Sequence, residues 1–115
     1  MIVPGPATRI FLAPGATDLR RSFDGLHGLV RSRLAEDPRS GHLFLFCNRS
    51  RNRLKVLCFD GTGLWVCAKR IERGRFTWPD EQAGDKVRLR AEELALLLGG
   101  LKLTRVEREN WWRAE

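Results

Sequence analysis

Between His42 and Trp78 the chain alternates apolar or aromatic runs with short polar turns, and this punctuation constrains the fold more than any other feature. His42 to Cys47 (HLFLFC) is followed by Arg53 to Phe59 (RLKVLCF), Leu64 to Ile71 (LWVCAKRI) and Arg75 to Trp78 (RFTW). Asn48 to Asn52 (NRSRN), Asp60-Gly61-Thr62-Gly63 and Glu72-Arg73-Gly74 separate them. Turns this short cannot carry a strand back to a parallel neighbour, so they predict an antiparallel meander.

The flanks predict helices and short strands. Thr8 to Leu12 reads as a strand stopped by Pro14-Gly15, and Thr17 or Asp18 offers an N-cap. Leu19, Phe23, Leu26, Leu29, Val30 and Leu34 then recur at helical spacing until Glu36-Asp37-Pro38. Gly25 and Gly28 each lower helix propensity by about 1 kcal/mol relative to Ala, which predicts a close neighbour against this helix. Val87 and Leu89 suggest another short strand, and Ala91 to Leu98 (AEELALLL) a short helix stopped by Gly99-Gly100. The expected fold class is α+β: an antiparallel β meander of four or five strands, one helix packed on a face and a short C-terminal helix. The 115 residues suit a single domain, with an extended lead-in over 1–7 and a charged tail over 101–115 that a partner would order. Trp111-Trp112 lies in that tail.

Several function classes are disfavoured by what the chain contains. No apolar run approaches the ~20 residues of a bilayer span, and Met1 to Leu19 lacks the pattern of a signal peptide. Cys47, Cys58 and Cys67 are odd in number, without CxxC spacing, which points to a reducing, cytoplasmic setting and to core cysteines rather than metal ligands. His27 and His42 sit in no nucleophile motif; His27 reads as structural and His42 as a strand-edge residue. Asp18, Asp24 and Asp60 invite a two-metal nuclease reading, yet a helix cap and an Asp-Gly turn account for Asp18 and Asp60. The expectation is a protein without catalytic residues, metal or cofactor.

Charge gives the positive signal. From Arg39 to Arg75 there are nine bases and two acids, so this stretch carries the whole net charge of +7. Such localisation is the footprint of a polyanion-binding surface. Within the second run Leu54, Val56 and Cys58 share one face, while Arg53, Lys55, Leu57 and Phe59 share the other. In the third, Leu64, Val66, Ala68 and Arg70 oppose Trp65, Cys67, Lys69 and Ile71, which puts Cys58 and Cys67 on opposite kinds of face. The clean apolar faces are expected to pack on the first helix, and the mixed faces to form the working surface. Arg49, Arg51, Arg53, Lys55, Lys69, Arg70, Arg73 and Arg75 are the candidate DNA-phosphate contacts. Trp65, Phe76 and Trp78 are candidates for base stacking or for binding a partner protein, with core packing as the rival reading.

Gly15 to Leu26 (GATDLRRSFDGL), Asp37 to Phe46 (DPRSGHLFLF), Asn48 to Leu57, Asp60 to Leu64 (DGTGL) and Lys69 to Pro79 (KRIERGRFTWP) occur in that order. Over about residues 5 to 100 the chain resembles the small TnpB accessory proteins of IS-sixty-six-type bacterial insertion sequences. Leu19, Ser22, Cys47, Cys58-Phe59 and Ala68 depart from the family pattern, and Trp111-Trp112 lies outside the matched part. The resemblance implies an accessory factor for transposition, encoded beside a larger transposase and a second small protein, both of which become candidate partners. It carries over no catalytic residue. Two roles stay open: a factor that contacts DNA through the basic hairpins, or an adaptor that binds the transposase or itself.

Overall fold

In a computed structural model, which describes residues 5–100, the turn-separated runs become one five-stranded sheet with two helices. The elements in chain order are β1 (Ile10–Leu12), α1 (Phe23–Ser32), β2 (Leu43–Cys47), β3 (Arg53–Phe59), β4 (Leu64–Arg70), β5 (Val87–Leu89) and α2 (Ala91–Leu98). A single 3-10 turn, Glu81–Ala83, precedes β5. The strand order is β4-β3-β2-β1-β5. The β2-β3 and β3-β4 pairs are antiparallel, as the short turns require, and so is β1-β5. However, β1 runs parallel to β2 in the register Ile10↔Leu43. The sheet is therefore mixed rather than a pure meander, because α1 supplies the long crossover that a parallel pair needs.

Both faces of the sheet are buried over β1, β2 and most of β3. On one, Leu54, Val56 and Cys58 join Leu43, Leu45 and Cys47 against Leu94 and Leu97 of α2 and against Phe76 and Trp78. On the other, Phe11, Phe44, Phe46 and Leu57 pack on Leu26, Val30 and Leu34. This two-sided burial explains why β2 is apolar throughout, since a strand between two layers has no solvent side. Each such side chain contributes roughly 1.5–3 kcal/mol.

In β3 the layering reverses the expected assignment of faces, whereas in β4 the clean face lies toward α1 as expected. The clean face of β3 receives α2 and residues 76–78, whereas α1 covers the mixed face. The register sets the clean face of β4 beside the mixed face of β3, so Leu64 and Val66 join Leu57 on the α1 side. Lys55 lays its stem along that face, and its Nζ donates to the Arg21 carbonyl oxygen at 3.0 Å. The register Val56↔Cys67 and Cys58↔Trp65 also places Cys58 and Cys67 on the same face, not on opposite ones.

Arg75–Trp78 belongs to no strand. Its alternation is real, yet both inward residues enter the core, Phe76 at 1% and Trp78 at 3% exposure, and its backbone bonds go to loops. The Phe76 N–H donates to the Arg51 carbonyl at 2.7 Å, and the Trp78 indole N–H to the Ala13 carbonyl at 3.0 Å. Helix α1 is likewise shorter than its apolar spacing suggests. Ser22 occupies the N-cap position without a side-chain bond, and Arg33 the C-cap. Leu19 and Leu34 pack beside the helix from the flanking loops. A Cβ at Gly28 would meet open space, but one at Gly25 would come within 2.9 Å of the Arg21 Cβ, so the expected close approach is found at Gly25 and not at Gly28.

At the other end of the chain α2 begins where the Glu93 carboxylate accepts from the Arg90 N–H at 2.9 Å. No helix among the described residues is long and apolar enough to cross a membrane. The Trp111-Trp112 tail lies outside the described residues.

Candidate nucleic-acid interface

The loop between β2 and β3 is fixed by one side chain. The Asn48 amide oxygen accepts from the Asn52 and Arg53 N–H groups, both at 3.1 Å, and its nitrogen donates to Asn52 Oδ1 at 2.7 Å. The Arg51 N–H closes the turn on the Asn48 carbonyl at 3.1 Å. Arg51 sits at φ 58°, a left-handed conformation that a non-glycine residue holds only when its surroundings impose it. Arg49, Arg51 and Arg53 thus project from a backbone that is already ordered, and no carboxylate among the described residues pairs with them.

Beside this loop lies an open groove of about 1180 Å³. One wall is the segment Ala16–Arg20, which leads into α1; the floor is the basic end of β3 and β4. Arg20, Arg49, Arg53, Lys55, Lys69 and Arg70 line it, with Asp18 and Glu72 as its acids. Both acids are engaged. Arg20 clasps Asp18 through Nε at 3.0 Å and Nη2 at 2.7 Å, and this guanidinium holds the Asp18 carboxyl down to about 2. Arg70 meets Glu72 at 3.3 Å. Thr17, its Oγ1 buried without a partner among the described residues, anchors the wall through its N–H to the Cys47 carbonyl at 2.7 Å.

The other candidates fall elsewhere. Arg51 lines an adjoining hollow of about 330 Å³ with Gly15, Asp80 and Glu81. Arg73 and Arg75 are exposed and line neither hollow. Lys69 borders the groove, but its Nζ donates to the Leu98 carbonyl, where a cation suits the C-terminus of α2. Of the three candidate aromatics, Phe76 and Trp78 have no ring face at the surface, and Trp65 is 56% exposed at the far end of the hairpin.

That far end is a second side-chain-fixed turn. Asp60 Oδ1 accepts from the Thr62 N–H at 2.8 Å, the Thr62 hydroxyl and the Gly63 N–H, while Oδ2 accepts from the Trp65 indole at 2.7 Å. These bonds, the Thr62 N–H foremost, hold the Asp60 carboxyl well below the usual carboxylate range. Asp18, Asp24 and Asp60 do not come together, and no group of three or more His, Cys, Asp or Glu among the described residues is placed to hold a metal ion. All three thiols are free. Burial pushes the Cys47 thiol up to about 12 and raises Cys58, so both are poor nucleophiles. His42 accepts from the Arg9 N–H through Nδ1 at 2.9 Å, tying β1 to the start of β2.

Sequence reasoning passed over the Ala16–Arg20 wall. Its signal was the Arg20-Arg21 pair just ahead of the helix, but only the fold brings it against Arg53 and Lys55.

Residues 8–108 match the family model described as IS66 Orf2 like protein. The chain is similar to two uncharacterized proteins of Sinorhizobium fredii, y4jC and y4hO. With the first it is 38% identical over 95% of its length and 92% of the relative's, and with the second 37% identical over 96% and 95%. No solved structure matches.

Proposed function

The chain belongs to the family of IS66 Orf2 like proteins, and from that premise we propose that it is a non-enzymatic accessory factor, acting in the cytoplasm, that grips DNA during transposition of an insertion sequence. What supports DNA contact above all is the convergence of Arg20, Arg49, Arg53, Lys55 and Arg70 on one open groove beside an ordered loop. Guanidinium groups held in this way neutralise phosphates without reading bases, so affinity comes chiefly from counterion release. The groove is lined by no aromatic side chain among the described residues, which favours duplex backbone over stacked single-stranded bases.

The test is a variant with Arg49, Arg53 and Lys55 replaced together by Ala. Its affinity for duplex DNA should fall for every sequence alike, and the slope of log K against log salt should shrink by about 0.9 per lost contact. Undiminished binding in that variant contradicts the assignment. The second reading is an adaptor for the element's transposase or its other small protein, favoured by the exposed Trp65. On that reading Trp65→Ala, and not the charge variant, weakens capture of the transposase.

A further inference from the structure

We propose that β4 is a docking edge for a second copy of this chain, the two β4 strands pairing antiparallel about a two-fold axis at Cys67. The proposal does not depend on the DNA reading. Among the described residues β4 pairs with β3 alone, so it closes one side of the sheet as a seven-residue edge. It contains no proline or bulge to blunt that edge, and its bases, Lys69 and Arg70, lie at one end only.

The phase of the free hydrogen-bonding groups follows from the β3-β4 ladder. The Asp60 N–H donates to the Gly63 carbonyl at 3.0 Å, and the Ile71 N–H to the Asn52 carbonyl at 2.9 Å. Odd-numbered residues of β4 therefore bond inward to β3, and Leu64, Val66, Ala68 and Arg70 turn their N–H and C=O groups outward. A two-fold centred on Cys67 sets Leu64 against Arg70 of the second copy and Val66 against Ala68. Every outward group then meets an outward group, and Cys67 faces Cys67 in a non-hydrogen-bonded pair.

Side-chain chemistry is self-complementary in the same register. Lys69 of each copy comes opposite Trp65 of the other, whose exposed indole face suits a cation or its alkyl stem. The basic end of each strand lies beside the turn carrying the other's ionised Asp60, so like charges are kept apart. Leu64, Val66 and Cys67, only half-buried in one copy, gain cover. The interface is isologous and closes at two copies. It extends the sheet across both, leaving α1 of each on one side and the two basic grooves on that same side.

The test uses the full chain. Sedimentation across a concentration series should give a dimer. Diamide, which takes two electrons and two protons from a thiol pair, should link the dimer through Cys67, since at the non-hydrogen-bonded spacing of about 4.5 Å between Cα atoms a disulfide fits. Cys67→Ser should abolish the link and leave the dimer mass unchanged. Ala68→Pro removes one outward N–H and no bond to β3, so it should give a folded monomer. A monomer at every concentration, or a dimer that survives Ala68→Pro with Cys67 unlinked, overturns the proposal; protected Val66 and Ala68 amides in such a monomer would assign the edge to another segment of this chain. If the proline variant does not fold, the mass and the Cys67 link of the unaltered chain decide the matter.

Discussion

Residues 48–55 and 71–79 are alike in sequence, each mixing bases with turn residues and large apolar side chains, yet the fold uses them in opposite ways. In the first region a single amide, Asn48, ties the loop, Leu54 is buried, and the bases stay at the surface. In the second no ladder forms. Phe76 and Trp78 plug one face of the sheet, and Arg73 and Arg75 are left at its rim. The difference lies in the hydrogen-bonding partner. Residues 53–59 find strands on both sides, whereas residues 75–78, among the described residues, find only the loop carbonyls of Arg51 and Ala13. A basic-aromatic run without a strand partner thus sends its aromatics into the core and leaves only its bases outside.

This contrast can be broken by experiment. Trp78→Ala should be the most damaging change, at about 3–5 kcal/mol in urea unfolding, because it empties a core site and orphans the Ala13 carbonyl. A loss under about 1 kcal/mol would mean that Trp78 is a surface residue after all. Asn48→Ala should cost about 1–2 kcal/mol, since it removes the acceptor of two loop N–H groups. It should also weaken DNA binding although it removes no charge, which sharpens the claim that the loop is pre-ordered.

Smaller effects test the surface side of the comparison. Arg49→Ala and Arg53→Ala should each shift stability by no more than about 0.5 kcal/mol while lowering DNA affinity. Equal losses of stability and affinity would instead give these arginines a structural role. The Asp60 turn supplies the finest test. Its carboxyl is depressed in the folded state, so its contribution is fully present above the unfolded value of about 3.9 and is lost as pH falls from there through the folded value. Trp65 fluorescence should therefore stay constant from neutral pH to about 4 and change only below it. In Asp60→Ala the low-pH signal should already be present at pH 7.

Much of the fold was legible in the residues. Ala91–Leu98 is the helix that its composition suggests, and the Asn48–Asn52 and Asp60–Gly63 turns join antiparallel strands as their length requires. Two features were not legible, for a common reason. Period-two alternation says which residues share a face but not what covers it, so α1, expected on the clean face of β3, covers the mixed one, and α2 takes the clean one. Nor does alternation distinguish a paired strand from a segment laid on a core, as at Arg75–Trp78. The groove was half legible. Its floor came from the basic runs, while its Ala16–Arg20 wall depends on Thr17 meeting the Cys47 carbonyl, a contact between residues thirty positions apart.

The central claim is that the groove binds duplex backbone, and the most direct measurement is fluorescence anisotropy of the full chain with labelled DNA. A duplex from an element's terminal inverted repeat and a scrambled duplex would be titrated from about 50 to 200 mM salt, a range over which several neutralised phosphates change affinity by orders of magnitude. The account predicts binding to both, with a slope near 0.9 per phosphate contact that shrinks when Arg49, Arg53 and Lys55 are removed. No binding at the lowest salt, or binding that ignores salt, would contradict it and leave the transposase as the partner to test.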